Sequence, residues 1–172
     1  MINKILISFT LILGLYAFIT IDSPNESPEY TIRKSKVINS TDPPSIQMYM
    51  AIEKYADSFD IPKRYAYGVA YTETGYRGPF HFKYNHQQTS RASAVGPMQI
   101  MLGTARGLNK DGVSRSKLMS NIEYNVMTSM KLLRRLKSMR GRWDLVFGEY
   151  NSGQTIVNGY SRKIMNYKYN WK

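Results

Sequence analysis

IPKRYAYGVAYTETGY, residues 61–76, is the stretch whose reading decides the fold. Ala66, Val69 and Ala70 recur at spacings of three and four, the interval of one helical face. Pro62 suits the start of such a helix, and Gly75 supplies a stop. Glu73 continues the apolar stripe, three residues after Ala70 and four after Val69. A carboxylate is thus expected in the last turn, on the side turned to the core. Burial removes its water, and the helix C-terminus adds partial negative charge. Both influences raise the carboxyl pKa and keep a proton on it. A hydrogen bond to a buried backbone group would account for such an acid equally well at this stage.

Outward from this helix the pattern stays helical. Ser45 can cap a helix to about Ser58, with Met48, Ile52, Tyr55 and Phe59 on one face. Residues 75–95 read as a polar loop bearing glycines and aromatics, and a helix is expected from about Met98 to Gly107. A longer one runs from about Asn121 to Met139, with Ile122, Val126, Met130, Leu133 and Leu136 as its stripe. Two further pieces are expected at 143–150 and 153–166. No strand alternation and no internal repeat stands out. The expectation is a mainly α domain over residues 45–172.

The chain has 172 residues, with 24 Lys and Arg against 12 Asp and Glu, a formal charge of +12. Before residue 45 the signs balance, four basic against four acidic, so the excess belongs to the helical part. A basic domain favours polyanions such as nucleic acid, an anionic membrane or an acidic wall polymer. Cysteine is absent, which excludes disulfide and thiolate chemistry, and two histidines argue against a zinc site. The run from Ile5 to Ile21 is uncharged and opens the chain behind Lys4. It reads as a signal peptide or membrane anchor over residues 1–21. Lys4 before it and Asp22, Glu26 and Glu29 after it favour export of the remainder. Residues 22–44, punctuated by Pro24, Pro28, Pro43 and Pro44, read as a linker.

Three stretches carry candidate chemistry. Glu73 is the first, followed by the hydroxyl of Thr74; the other acids sit in turns or first helical turns that suit capping or pairing. The second is SAVGPMQIMLGTA, residues 93–105, where Gly96 permits unusual backbone and Gln99 can both donate and accept hydrogen bonds. Helix amides near Met98 and Gln99 are expected to face a ligand. The third is EYNSG, residues 149–153, where Tyr150 and Asn151 precede a helix-ending turn. Each alone is explained as readily by packing and capping.

In this order the three resemble the lytic transglycosylase family of the soluble-lytic-transglycosylase type, related in fold to goose-type lysozyme. Glu73-Thr74 stands where the family has Glu-Ser at a helix end. Ala94, Gly96, Met98, Gln99, Ile100, Thr104 and Ala105 match a G-A-x-G-L-M-Q-I…T-A run, and Tyr150, Asn151 and Gly153 match A-Y-N-A-G. NGYSRKIM, residues 158–165, looks like the closing helix. Ser93, Pro97, Glu149 and Ser152 depart from the pattern, and the loop after Gly75 is longer than usual. The resemblance implies a lysozyme-like fold and cleavage of the N-acetylmuramic acid–β-1,4–N-acetylglucosamine bond of peptidoglycan, with 1,6-anhydro ends. It implies Glu73 as the single acid and base, Tyr150 orienting it by a hydrogen bond, and Thr74, Met98, Gln99 and Asn151 at the sugar site. Tyr71, Tyr76 and Phe82 are candidate stacking faces. No metal or cofactor is required. The partner is peptidoglycan, with membrane association through the N-terminal segment, and exported topology argues against nucleic acid. The expected location is the cell envelope: periplasm, outer face of the inner membrane, or secreted. Wall remodelling, secretion, conjugation and a phage particle are all compatible settings. The competing readings are a muramidase using water, a non-catalytic peptidoglycan binder and a basic nucleic-acid binder.

Overall fold

The computed structural model of the chain describes residues 37–171. The expected signal or anchor over 1–21, and residues 22–36 of the expected linker, lie outside them. Seven helices follow one another among the described residues: α1 Pro44–Ser58, α2 Lys63–Thr74, α3 Leu102–Leu108, α4 Arg115–Ser120, α5 Ile122–Arg140, α6 Trp143–Ser152 and α7 Gly159–Met165. The described residues form no strand; the only pairings are isolated bridges, Thr89 with Val95 and Val95 with Ile100. None of the described helices is long and apolar enough to cross a membrane.

α5 is the axis of the domain. Val126, Met130 and Leu133 are fully buried along one side. α1, α3, α4 and α6 all pack against it. Its start is fixed by Asn121, whose side chain accepts the Tyr124 amide, and its end by Gly141 in the left-handed region. α2 lies against α1 and α7. Gly68 is what lets α7 come close, since a Cβ there would meet Ile164 and Tyr167 at 3.1–3.4 Å. Gly148 matters more sharply. A Cβ there would stand 1.6 Å from the Ile156 carbonyl, so only glycine admits the loop that brings the chain from α6 back to α7.

Two expected helices start elsewhere. The helix expected from Met98 begins at Leu102, because Gly96 (φ +77°) and Gln99 (φ +50°) take left-handed backbone and break the run. The helix expected at 153–166 begins at Gly159, where Asn158 and Ser161 form a reciprocal cap. The short α4, capped by Ser114, was hidden by its length and its lack of an apolar stripe.

Candidate active site

α2 delivers Glu73 in its last turn, and Gly75 ends the helix with a left-handed residue at φ +71°. The carboxyl is half-buried. Loss of water pushes its pKa up to about 7, against the pull of a hydrogen bond from Tyr160 and the charge of Lys163. The Tyr160 hydroxyl donates to Glu73 Oε1 at 2.5 Å. Burial, followed by the carboxylate it faces, holds the Tyr160 hydroxyl well above the ordinary phenol range, so it stays a donor.

The other acids beyond residue 45 are paired. Glu53 and Asp57 meet Lys63, Asp60 meets Arg134, Asp111 meets Lys117, Glu123 meets Lys54, Asp144 meets Arg142 and Glu149 meets Arg140. Glu73 has no such pair among the described residues. Desolvation raises its pKa, and the Tyr160 phenol and the Lys163 charge oppose that shift. Among the described residues no cluster of three or more His, Asp or Glu could hold a metal ion.

The neighbouring residues divide into a frame and an open rim. Thr74 is buried, and its hydroxyl lies 2.8 Å from both the Pro97 carbonyl and the Tyr84 hydroxyl. Having one proton, it donates to Pro97 and accepts from Tyr84. The Met98 side chain is fully buried and its amide donates to Asn125 Oδ1 at 3.0 Å. Gln99 Nε2 donates to the carbonyls of Gly96 and Gln88, at 2.8 and 3.0 Å. The amides expected to face a ligand from a helix start are therefore spent inside the loop, with Gln99 N–H donating to Gly96. Asn151 is exposed, 3.4 Å from the Asn158 amide.

Tyr150 differs from expectation. Its hydroxyl donates to the Met98 carbonyl at 2.7 Å rather than to Glu73. Its ring lies parallel to that of Tyr160, 14° apart with centroids at 6.5 Å. Tyr160 makes the hydrogen bond that the resemblance implies for Tyr150, whose ring stacks on that of Tyr160. Nothing in NGYSRKIM marks that hydroxyl as reaching 87 positions back to Glu73. Tyr76 is also corrected: it is fully buried, donating to the Ser45 carbonyl, and offers no face to a sugar. Phe82 is half exposed, and Tyr71 lies beneath Lys163, whose Nζ is 5.2 Å from the ring centroid.

Asn125, unnoticed in the sequence, organises the second motif. It is fully buried on α5, donates to the carbonyls of Val95 and Leu118 at 2.9 Å each, and accepts the Met98 amide. Its amide would also touch any Cβ at Gly96, at 2.5 Å.

Comparison with known proteins bears on the fold and the family. The family model described as Transglycosylase SLT domain matches residues 50–170. Among solved structures, the 70-kDa soluble lytic transglycosylase of Escherichia coli superposes with a TM-score of 0.51 and 24% identity, over 67% of this chain and 18% of that one. The 70-kDa soluble lytic transglycosylase in complex with bulgecin A gives 0.52 and 22%, over 71% and 20%. The chain thus spans about a fifth of the length of these structures, and the likeness is one of fold. No curated protein sequence matches the chain.

Proposed function

The chain belongs to the SLT transglycosylase domain family, and from that premise we propose that it cleaves the β-1,4 bond between N-acetylmuramic acid and N-acetylglucosamine in peptidoglycan, closing a 1,6-anhydro ring, with Glu73 as both acid and base. The observation that carries the reading is the state of Glu73: half-buried at a helix end, unpaired among the described residues, and poised at about pH 7. A protonated Glu73 donates to the glycosidic oxygen, a contribution on the order of 10²- to 10⁴-fold. Charge at the anomeric carbon is met by the acetamido group of the sugar itself, a substrate-assisted route that needs no second carboxylate. The pairing of the other acids with cations supports that route. The Glu73 anion then takes the proton of the sugar's 6-hydroxyl, and the ring closes without water.

Tyr160 orients the carboxyl in this scheme and favours its anion in the second half-reaction, with Tyr150 packed against it. Thr74, Met98 and Gln99 hold the loop that frames the sugar site, and Asn151 reaches the sugar from the rim. The net positive charge suits an anionic wall polymer. The site of action is the cell envelope.

Muropeptide mass spectrometry after digestion of purified wall tests the reading. Wild type is expected to release 1,6-anhydro ends, and Glu73→Gln to release none while keeping its helical circular dichroism and cooperative melt. Reducing ends would replace the proposal with water-using hydrolysis. Binding without any release by wild type would reduce the chain to a wall binder.

A further inference from the structure

The loop after α2 carries a feature that the proposed reaction does not use. Phe80 and Phe82 are 53% and 50% exposed, the two most exposed aromatic side chains among the described residues. Their rings meet edge-on, with centroids 6.5 Å apart. Tight turns present them: His81 N–H donates to the Gly78 carbonyl at 3.2 Å, and Tyr84 N–H to that of His81 at 2.8 Å. The base of the loop is fixed from three directions. Ser45 Oγ donates to the Pro79 carbonyl at 2.8 Å, and the Tyr84 hydroxyl lies 2.8 Å from that of Thr74. Trp171 lies on Gly78, where φ is +107° and a Cβ would stand 2.5 Å from the indole. A base held this way keeps both rings at the surface.

Charge and position say what the rings meet. Residues 74–92 hold Arg77, Lys83 and Arg91, all exposed, and no Asp or Glu. Basic side chains beside projecting aromatic rings suit an anionic lipid surface, where rings settle at the headgroup level and cations meet phosphate. The Ser45 bond sets the tip beside the start of α1, the end at which the chain enters the domain. Upstream of that entry the sequence holds the uncharged run Ile5–Ile21. A bilayer that takes up this run is tethered, through residues 22–43, to the helix end beside the tip. Such a tether raises the effective concentration of lipid at the tip.

We infer that the Phe80–Phe82 turn is a membrane-contact tip, its rings entering the headgroup region of an anionic bilayer with Lys83 and Arg77 on lipid phosphates. The contact is separate from any made by residues 1–21, and it assigns Phe82 to lipid rather than to sugar. Its consequence falls on the reaction. Phe80 follows Glu73 by seven positions, so the acid lies at most about 25 Å from the tip. The proposed cut then falls in the wall strands nearest the bilayer.

Spin labels read the contact directly, because the chain has no cysteine of its own. Nitroxides are attached, one per variant, at Lys83→Cys, Ser58→Cys and Leu13→Cys in the full chain, reconstituted in vesicles of equal parts phosphatidylethanolamine and phosphatidylglycerol. Lys83 is exposed in the turn, and its replacement leaves both rings in place. Ser58 is exposed at the other end of α1, about 20 Å along the helix from Ser45. Collisions with oxygen, which concentrates in lipid, and with a water-soluble nickel chelate report the depth of each label. The oxygen-to-nickel ratio is expected to be at least roughly threefold higher at 83 than at 58. Adding Phe80→Ser and Phe82→Ser should bring it down to the value at 58. Equal ratios at 83 and 58, or a ratio at 83 that survives loss of both rings, overturn the inference. A label at 83 that is slowed by chitotetraose or sacculi without lipid also overturns it, and returns the rings to the wall. The label at 13 reads the N-terminal run separately. A water-like signal there, with 83 in lipid, upholds the tip and corrects only the anchor.

Discussion

At Glu73 two influences oppose each other. Desolvation raises the carboxyl pKa, while the Tyr160 hydroxyl and the Lys163 charge favour the anion, and the balance falls at about 7. Activity that requires the protonated acid therefore declines as pH rises through about 7. Tyr160→Phe removes a donor to the anion, so it is expected to move that decline to higher pH and to lower kcat by roughly tenfold. Wall-clearing rates between pH 5 and 9 would show both effects, and a decline left in place would detach Tyr160 from Glu73. Stability carries the same signature. The folded chain holds the Glu73 proton from the ordinary value of 4.5 up to about 7. Its contribution is therefore complete below pH 4.5 and is lost as pH climbs to about 7, by about 3 kcal/mol. Urea titrations at pH 4.5 and 8 should show that loss in wild type and little of it in Glu73→Gln.

Helices and their caps decide how well the site is held. α5 supplies Asn125, which satisfies two carbonyls and one amide of the loop before α3. Asn125→Ala leaves those buried groups without partners and is expected to cost about 3 kcal/mol, read as a fall in thermal midpoint. α7 supplies Tyr160 from its first turn, directly after the Asn158 cap. Asn158→Ala is expected to cost only about 1 kcal/mol in stability. Its larger effect should fall on kcat, because fraying at that end moves the hydroxyl that holds Glu73.

Across the whole molecule the charge is uneven by design of sequence rather than of fold, since the part after residue 45 holds the entire +12. Association with wall is expected to weaken as ionic strength rises from 0.05 to about 0.5 M, over which the Debye length falls several-fold. Co-sedimentation with purified sacculi measures it. Binding that ignores salt would assign recognition to hydrogen bonds and stacking alone.

The order of helices was legible because apolar spacing at three and four is a local property, written in α1, α2 and α5 regardless of what they pack against. The isolation of Glu73 on an apolar face was legible for the same reason. The start of α3 was not, because left-handed backbone at Gln99 is imposed by loop hydrogen bonds and not by its residue type. Tertiary packing alone decided which tyrosine serves the acid. Tyr150 and Tyr160 are both phenols on short helices near a glycine; the approach of α7 to α2 puts the Tyr160 hydroxyl on Glu73, while α6 puts that of Tyr150 on the Met98 carbonyl. A hydrogen bond is settled by tenths of an ångström between distant segments, and local periodicity carries no such information.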